Sequence, residues 1–180
     1  MSEIYEPAED SYLMSEALKR ELPKLLNKNP ELKFLEVGCG SGINLETAKS
    51  LGVKNILGTD ININAVKHCK TLGFNCVKSD LFGNVNGKFD VIVFNPPYLP
   101  LDEEEPKDSR TATTGGKKGT ELIIKFLKQA KEHLNKNGKI LLITSSLSKD
   151  IDFIAFGYNA EVINEKKLFF EKLTVWKLKI

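Results

Sequence analysis

Short apolar runs rich in β-branched residues alternate along the chain with segments in which apolar residues recur at helical spacing. The apolar runs predict strands at Lys33 to Val37, Asn55 to Ile61, Phe74 to Lys78, Phe89 to Phe94 and Lys139 to Ser145. The helical patterns predict helices at Glu9 to Leu26, Ile43 to Leu51, Asn64 to Leu72, Thr120 to Leu134 and, more briefly, Lys149 to Phe156. Strands that alternate with helices in this way are typical of a parallel sheet.

Two further strands are predicted at the end of the chain, near Ala160 to Glu165 and Glu171 to Ile180. No helical segment separates them, so they should pair antiparallel. The run Phe89 to Phe94 is almost entirely apolar, as expected of a central strand buried on both faces. The sequence therefore predicts an α/β protein with a Rossmann-like sheet of seven strands, mostly parallel with one antiparallel strand.

Length and charge narrow the class of protein. The chain has 180 residues, so we expect one domain over 1–180, with an amino-terminal segment over 1–30 and the core over 31–180. Basic and acidic residues nearly balance, at 26 against 24, and only Arg20 and Arg110 are arginines. This balance weighs against a broad nucleic-acid surface. No apolar run approaches the ~18 residues of a membrane span, and the first residues are acidic and polar, so we expect a cytoplasmic protein.

The residues that most often bind metals do not form a recognisable metal motif. Cys39, Cys69 and Cys76 contain no C-x-x-C pair, and their odd number argues against a disulfide framework. His68 and His133 lie in separate predicted helices, with no carboxylate at metal-ligand spacing. We predict structural roles for these side chains and no metal site.

A glycine-rich turn follows the first predicted strand. Glu36 is followed by Gly38, Gly40 and Gly42, and glycine lets the backbone turn tightly and approach a ligand closely. The dinucleotide fingerprint G-x-G-x-x-G would need glycine where Ile43 stands, and the G-K-S/T of a phosphate loop is absent. Ligands of open parallel sheets bind beyond the carboxyl ends of the strands, so this turn is a candidate cofactor site.

Acidic residues also follow the second and third predicted strands. Asp60 can accept hydrogen bonds from both hydroxyls of a ribose. Asp80 could accept from the exocyclic amine of adenine, with Leu81 packing on the ring. Together with Glu36 they predict an acidic rim that suits a cofactor with a ribose, an adenine and a positive charge but no pyrophosphate. S-adenosylmethionine fits these requirements best.

The fourth predicted strand runs directly into Asn95, Pro96, Pro97 and Tyr98. The side-chain oxygen of Asn95 and the main-chain oxygen of Pro96 could accept both N–H bonds of a planar nitrogen and favour a pyramidal geometry. Its lone pair could then attack a methyl group. The prolines fix the backbone, so both acceptors are preorganised, and Tyr98 offers a flat apolar wall. We therefore predict methyl transfer to a conjugated nitrogen, with no general base needed before transfer.

With these motifs, the sequence resembles the HemK-type protein-glutamine methyltransferases, in particular the short eukaryotic and archaeal branch that acts on the Gly-Gly-Gln loop of class I translation release factors. The most specific match is the run from Tyr5 to Ser11, which resembles that branch's amino-terminal Y-E-P-A-E-D-S/T motif. The resemblance implies that Ser11 contacts the amino-acid end of S-adenosylmethionine, whose product is S-adenosylhomocysteine. It also implies that Asn95 contacts the target amide and that the mouth of the substrate site is shaped by Tyr5, Glu6 and Pro7. The residues that the resemblance implies for the rest of the cofactor site are Glu36, Gly38, Asp60, Asp80 and Leu81.

The resemblance also implies a partner. Relatives in this branch work with a small zinc-binding activator subunit that adds a strand to the sheet, and Phe74 to Lys78 is the expected edge here.

The match to relatives is uneven after the Asn-Pro-Pro-Tyr motif. Gly115, Gly116 and Gly119 match a glycine-rich stretch in relatives, whereas the charged segment between Tyr98 and Gly115 matches nothing firmly. We expect this long segment to order over the bound substrate. The bacterial branch carries an amino-terminal helical domain for which this sequence shows no counterpart.

Two other readings remain open from the sequence. The same Asn-Pro-Pro-aromatic arrangement serves methylation of the exocyclic amine of adenine in DNA or RNA, because that nitrogen is also planar and conjugated. The charge balance and the scarcity of arginine argue against this alternative. A non-catalytic scaffold that stabilises a partner is the third reading, and the intact motif at Asn95 argues against it.

Overall fold

The computed structural model of the chain describes residues 4–98, 119–148 and 150–180. Four α-helices lie in these ranges: α1 (Glu9–Leu26), α2 (Ile43–Ser50), α3 (Ile63–Thr71) and α4 (Glu121–Ala130), the last followed by a 3₁₀ helix at Lys131–His133. Seven strands lie there too: β1 (Lys33–Val37), β2 (Asn55–Asp60), β3 (Asn75–Lys78), β4 (Phe89–Phe94), β5 (Leu134–Ser145), β6 (Asn159–Lys167) and β7 (Lys172–Lys179).

The seven strands form one sheet in the order β3-β2-β1-β4-β5-β7-β6. All pairs from β3 to β5 are parallel, and β7 is antiparallel to both β5 and β6. The strand order reverses between β1 and β4, which is where open α/β sheets bind their ligands. The predicted Rossmann-like fold, with one antiparallel strand, is confirmed. No helix in the described ranges is long and apolar enough to cross a membrane.

Two apolar layers cover the two faces of the sheet. Side chains alternate between faces along a strand, so β1 sends Phe34 into one layer and Leu35 into the other. The first layer contains apolar residues of α1, α2 and α3, among them Leu18 and Leu45. The second contains Phe126 and its neighbours on α4. Because both faces are buried, the central strand β4 is apolar at almost every position.

The boundary between α4 and β5 differs from the prediction. The helix ends at Ala130 rather than Leu134, and β5 begins at Leu134 instead of Lys139. Leu134 pairs with Phe89 of β4, and the register shifts between Phe89 and Val91. Gly138 lies within the irregular first part of β5, where a Cβ would sit 2.7 Å from Leu134 Cδ1. Pairing with β4 therefore overrides the helical pattern that the sequence shows up to Leu134.

The predicted short helix at Lys149 to Phe156 is wrong. Residue 149 lies outside the described residues, and a hydrogen-bonded turn replaces the helix over 153–157. The side chain of Asp152 accepts from the backbone N–H of Ala155, and the backbone N–H of Gly157 donates to the carbonyl of Ile154. Phe153 is buried on one side of this turn, and its position is set by tertiary packing.

The three cysteines come together beneath the glycine-rich turn. Their sulfur atoms all lie within 4.8 Å of one another, and Cys39, Cys69 and Cys76 are all buried. This geometry could hold a thiophilic metal ion, a grouping that their separate positions in the sequence did not predict. Gly58 of β2 lies beside Cys76 and leaves room for its sulfur, since a Cβ added there would lie 2.7 Å from Cys76 Sγ and 3.0 Å from Leu45 Cδ1.

Replacement of Gly58 by alanine is therefore expected to lower the free energy of unfolding by about 1 to 3 kcal/mol, because the added methyl group overpacks a close-packed core. Urea denaturation of the wild type and the variant measures this change. As a control, Cys76→Ala should relieve the main contact, so the double variant should lose less stability than the sum of the two single variants. Strictly additive losses would contradict the packing argument.

Candidate active site at the carboxyl ends of the strands

The turn between β1 and α2 is held open by glycines with left-handed backbone. Gly40 has φ of +47° and Gly42, the residue before α2, has φ of +85°. Other residues adopt these angles only with strain. The backbone N–H of Gly40 donates to Asp60 Oδ2 at 2.9 Å. The turn is thus attached to the end of β2, and Gly38 (φ +70°) leads into it from β1. The glycine motif predicted from the sequence forms a tight bend at the point where strand order reverses.

Glu36 lies buried at the end of β1, only 2% exposed. Its Oε1 accepts a hydrogen bond from Asn44 Nδ2 at 2.8 Å. Its Oε2 is buried and has no hydrogen-bond partner among the described residues. Burial raises the pKa of Glu36 to about 8, and the neighbouring charge of Asp60 contributes to the same shift. A buried carboxylate oxygen without a donor is rare, so it indicates a group that the protein is built to receive.

Asp60 lies half-buried at the end of β2. Its Oδ1 accepts from the backbone N–H of Asn62 at 2.8 Å, and its Oδ2 accepts from Gly40 as described above. Burial raises the pKa of this carboxyl group, although these backbone hydrogen bonds oppose the shift. The side chain is therefore fixed beside the glycine-rich turn before any ligand arrives.

Asp80 and Leu81 follow β3, on the outer side of the same edge. Asp80 is more exposed than the other two acids, and its Oδ2 accepts from Lys125 Nζ of α4 at 2.7 Å. Leu81 is buried and has φ of +50°, the only positive φ of a non-glycine residue in the described ranges. A bulky residue in this strained conformation often marks a functional loop. The pair therefore lies where the sequence predicted an adenine contact, with part of the Asp80 charge already compensated by Lys125.

The Asn-Pro-Pro-Tyr motif leaves β4 next to the glycine-rich turn. Phe94 pairs with Val37, so Asn95 and Gly38 emerge side by side from neighbouring strands. Pro96 is buried and Pro97 is half-buried. The backbone carbonyl of Tyr98 accepts from Ser148 Oγ at 2.6 Å, which anchors the far end of the motif to the segment after β5. The motif is thereby held at both ends.

Asp10, near the start of α1, joins the amino-terminal motif to the motif at Asn95. Its carboxylate accepts from Tyr5 Oη at 3.0 and 3.1 Å, from Asn95 Nδ2 at 3.0 Å and from Tyr98 Oη at 3.3 Å. The backbone N–H of Ser11 donates to it at 2.6 Å. Asp10 is only 4% exposed. Burial and the charge of Asp10 raise the pKa of both Tyr5 and Tyr98 above the usual value, so both phenols remain neutral donors.

This cluster decides which way the amide of Asn95 faces. An ionised carboxylate only accepts hydrogen bonds, so the NH₂ group of Asn95 must point toward Asp10. The carbonyl oxygen Oδ1 then points the other way. It is buried and has no hydrogen-bond partner among the described residues. Asn95 therefore carries, next to Pro96, a buried acceptor oxygen that none of the described residues satisfies.

The other residues of the amino-terminal motif surround the same region. Tyr5 packs over the glycine-rich turn, where its Cβ would lie 3.9 Å from a Cβ at Gly40. Ser11 is buried, and its hydroxyl donates to Asp10 Oδ1 at 3.3 Å. Pro7 is half-buried and Glu6 is exposed. Gly119, with φ of +76°, precedes α4. Gly115, Gly116 and the charged segment before them fall within 99–118, which lies outside the described residues.

Sequence reasoning named every side chain in this cluster except Asp10. The sequence did indicate that Asp10 could be functional, because Asp10 lies within the motif from Tyr5 to Ser11 and directly before Ser11. Its partner Asn95 is 85 positions away along the chain, and nothing local indicates that contact.

The raised pKa of Glu36 makes the stability of the ligand-free protein depend on pH. Its folded-state pKa of about 8 lies above the ordinary value of 4.5, so between these values the folded protein holds a proton that the unfolded chain has lost. This contribution to the free energy of unfolding is full below pH 4.5 and is lost as the pH rises toward 8. Glu36→Gln should flatten this decline, as measured by urea denaturation at a series of pH values. Parallel profiles for variant and wild type would contradict the assignment.

Comparison with known proteins identifies the family. A family model described as the methyltransferase small domain matches residues 15–169. A chain from Methanocaldococcus jannaschii, named as a protein N5-glutamine methyltransferase, is 39% identical, with 98% of this chain and 93% of that protein covered. The eRF1 methyltransferase catalytic subunit of Schizosaccharomyces pombe is 30% identical, with 82% and 74% covered. Mouse methyltransferase HEMK2 is 33% identical, with 79% and 72% covered.

Solved structures share the fold at lower identity. A ribosomal protein methylase from Lactobacillus delbrueckii superposes with a TM-score of 0.66 at 20% identity, with 99% of this chain and 82% of that chain covered. An S-adenosylmethionine-dependent methyltransferase from Clostridium acetobutylicum gives a TM-score of 0.60 at 12% identity, with 92% of each chain covered. These similarities concern the fold alone.

Proposed function

The chain belongs to the methyltransferase small domain family and, within it, to the HemK-type protein-glutamine methyltransferases, and we propose that it methylates the glutamine amide of the Gly-Gly-Gln motif of a translation release factor. The proposal rests on one observation above all, the buried and unpaired Oδ1 of Asn95 beside Pro96. The names of the relatives from Methanocaldococcus jannaschii and Schizosaccharomyces pombe, a protein N5-glutamine methyltransferase and an eRF1 methyltransferase subunit, agree with it.

The cofactor of this family is S-adenosylmethionine, and the residues present fit it. The unpaired Oε2 of Glu36 can accept from a donor of the ligand, such as a hydroxyl or an amine, and such donors stabilise the ionised form of this carboxyl group. Asp60 is fixed beside the glycine-rich turn and can accept from ribose hydroxyls. We propose that Ser11, Gly38, Gly40, Gly42, Asp80 and Leu81 complete the cofactor site. The acidic side chains also suit the positive charge of the ligand.

The chain's own groups would prepare the target nitrogen. An amide nitrogen is a poor nucleophile because its lone pair is delocalised into the carbonyl group. We propose that Asn95 Oδ1 and the main-chain oxygen of Pro96 accept its two hydrogens and hold them out of the amide plane. The lone pair is then free to form a bond. Since Asp10 and the two prolines hold these acceptors in place before the substrate binds, no reorganisation is needed during the reaction.

When bound, S-adenosylmethionine supplies an electrophilic methyl group. Tyr98 and Tyr5 would flank the planar amide as apolar walls and keep water from the target, and Glu6 and Pro7 would shape the mouth. The neutral phenols bring no competing charge near the target nitrogen. After transfer the nitrogen releases one proton to water, so none of the described residues has to act as a base beforehand.

We also propose that an activator subunit pairs with the edge of the sheet at β3. This strand is at one end of the strand order, so one side of its backbone has no neighbouring strand within the described residues. Two apolar side chains are exposed near the adjacent strand β2: Ile61 directly follows this strand, and Ile63 is the first residue of α3. A strand added along β3 would satisfy the free backbone groups and could cover this apolar surface. A small zinc-binding protein is the partner that the family resemblance implies.

Residues 1–30 and 31–180 would work as one domain in this proposal, because the first segment supplies Asp10 and the second supplies Asn95. We also propose a cytoplasmic location, since the proposed substrate belongs to the translation machinery.

Methyl transfer to purified substrates tests the proposed function. The enzyme, alone and with a candidate activator, is incubated with labelled S-adenosylmethionine and either a class I release factor, DNA or RNA. Mass spectrometry of the Gly-Gly-Gln peptide should show one added methyl group on glutamine. Label in adenine and none in the release factor would reject the proposal in favour of a nucleic-acid methyltransferase.

A further inference from the structure

Two phenylalanines project from the tip of the β6–β7 hairpin. Phe169 is 93% exposed and Phe170 is 84% exposed, more than any other large apolar residue in the described ranges. Their rings contact each other edge to face, with centroids 4.8 Å apart. The tip is closed by a hydrogen bond from the backbone N–H of Leu168 to the carbonyl of Glu171. Adjacent exposed aromatic rings are unfavourable in water and are typical of binding surfaces.

The hairpin tip lies at the same end of the sheet as the active site. Leu173 of β7 pairs with Ser145, the last residue of β5. Phe94 at the end of β4 pairs with Leu142 of β5, which pairs with Trp176 of β7. Two strand spacings of about 4.8 Å place Trp176 about 10 Å from Phe94, and Leu173 lies about another 10 Å along β7 toward the tip. The tip therefore extends beyond the strand ends on the side where Asn95 emerges.

Hydrogen bonds connect the tip to the motif at Asn95. The carboxylate of Glu171, next to Phe170, accepts from Ser145 Oγ at 2.6 Å. Its charge is close enough to Tyr98 and Tyr5 to contribute to their raised pKa values. In the turn that follows β5, the hydroxyl of Ser148 donates to the backbone carbonyl of Tyr98. The tip is thus joined to the wall of the acceptor site by a short series of contacts.

A third exposed apolar side chain extends this surface toward the active site. Leu147 is 46% exposed and lies between Ser146, which accepts from the backbone N–H of Lys172, and Ser148. On the other side, Lys166 of β6 forms an ion pair with Glu9 at the start of α1. The tip therefore adjoins the end of β5 on one side and the start of α1 on the other.

We propose that Leu147, Phe169 and Phe170, which we call the hairpin patch, bind apolar side chains of the protein that carries the target glutamine, outside the loop that enters the active site. This inference rests on the proposed function and adds to it a docking surface for the folded substrate protein.

The position of the hairpin patch indicates which protein binds it. A single glutamine side chain fills only the pocket at Asn95, whereas specific recognition of a folded protein needs further contact area around it. The hairpin patch provides two adjacent aromatic side chains roughly 15 to 20 Å from that site, within reach of surface that flanks the target loop. The neighbouring ion pairs Lys172–Glu165 and Lys166–Glu9 balance their own charges. The adjoining surface therefore favours an apolar partner over a phosphate backbone.

The double variant Phe169→Ser with Phe170→Ser tests this proposal. Its matched control is Ile154→Ser, which also replaces a highly exposed apolar side chain, but in the turn before β6, at the opposite end of that strand. Methyl transfer is measured on an intact class I release factor and on a short peptide that contains only the Gly-Gly-Gln motif. We expect kcat/KM of the double variant for the intact protein to fall about 10- to 50-fold, mainly through KM. The short peptide should lose much less, and Ile154→Ser should behave as wild type.

Each other outcome has a distinct meaning. Equal kcat/KM for double variant and wild type on the intact protein would overturn the docking surface while leaving the proposed function intact. Equal losses on protein and peptide, with weaker binding of S-adenosylmethionine, would show a structural role instead. A wild type that dimerises through the patch, shown by light scattering, with unchanged kinetics in the variant, would identify a second copy as its partner. A wild type that methylates neither substrate, either alone or with the candidate activator, would reject the proposed function itself.

Discussion

Asn95→Ala should lower kcat for glutamine methylation by about 100- to 1,000-fold while leaving the affinity for S-adenosylmethionine unchanged. The reason is that Oδ1 is a preorganised acceptor at the place where the amide nitrogen must lose its planarity, and groups that act in this way contribute on this scale. The proposed cofactor contacts come from Glu36 and Asp60 at the ends of other strands. Within the described residues, the hydrogen bonds of these two side chains do not involve Asn95, so the substitution does not remove these contacts. Single-turnover kinetics and isothermal titration with the cofactor separate the two effects.

Asn137→Ala is the matched control for this experiment. Asn137 is an exposed asparagine in the irregular first part of β5, at the opposite end of the sheet from the active site. The same chemical change there should leave both kcat and cofactor affinity as in the wild type. Turnover that survives Asn95→Ala would refute the proposed role of Oδ1.

Asp10→Asn should lower kcat by about 100-fold, even though in our proposal Asp10 touches neither the target amide nor the cofactor. The substitution keeps the shape of the side chain but replaces one acceptor oxygen with a donor. The remaining oxygen is needed by the backbone N–H of Ser11, so an NH₂ group would face the NH₂ group of Asn95. The Asn95 amide can then rotate and turn Oδ1 away from the target nitrogen. Asp10 acts here as a positioning residue, and its loss should appear in kcat more than in KM.

A double-mutant comparison distinguishes positioning from general destabilisation. If Asp10 acts only through Asn95, adding Asp10→Asn to Asn95→Ala should cause no further loss of kcat. Tyr5→Phe removes one donor to Asp10 but leaves the hydrogen bond from Asn95, so a smaller loss is expected. Additive losses in the double variant would mean that Asp10 affects catalysis by another route.

The parts of the site that the sequence predicted are those whose chemistry is local. Gly40 and Gly42 adopt backbone angles that favour glycine, so their spacing indicated a tight turn directly. Pro96 and Pro97 cannot continue a ladder, so they indicated the end of β4. The strand bounds of β1 and β4 follow from short apolar runs and agree with the structure residue for residue.

The parts that the sequence did not predict depend on contacts between distant segments. The register of β1 against β4 brings Gly38 beside Asn95, and no local pattern sets that register. The bond between Asp10 and Asn95 joins two segments whose motifs appear independent. The helix expected up to Phe156 fails for a similar reason, because buried Phe153 and Tyr158 fix that segment as a turn. In each case tertiary packing decides what local propensity leaves undetermined.

The arrangement of one side-chain oxygen and one main-chain oxygen at Asn95 and Pro96 also limits how far the reaction can proceed. Unmodified glutamine brings two hydrogens to these two acceptors. A singly methylated nitrogen retains one hydrogen, so one acceptor would be left unsatisfied and the new methyl group would occupy its place. Burying a polar oxygen without a donor is costly. The proposed site therefore disfavours a second round of transfer and favours departure of the monomethyl product, without a separate group to discriminate between the two states.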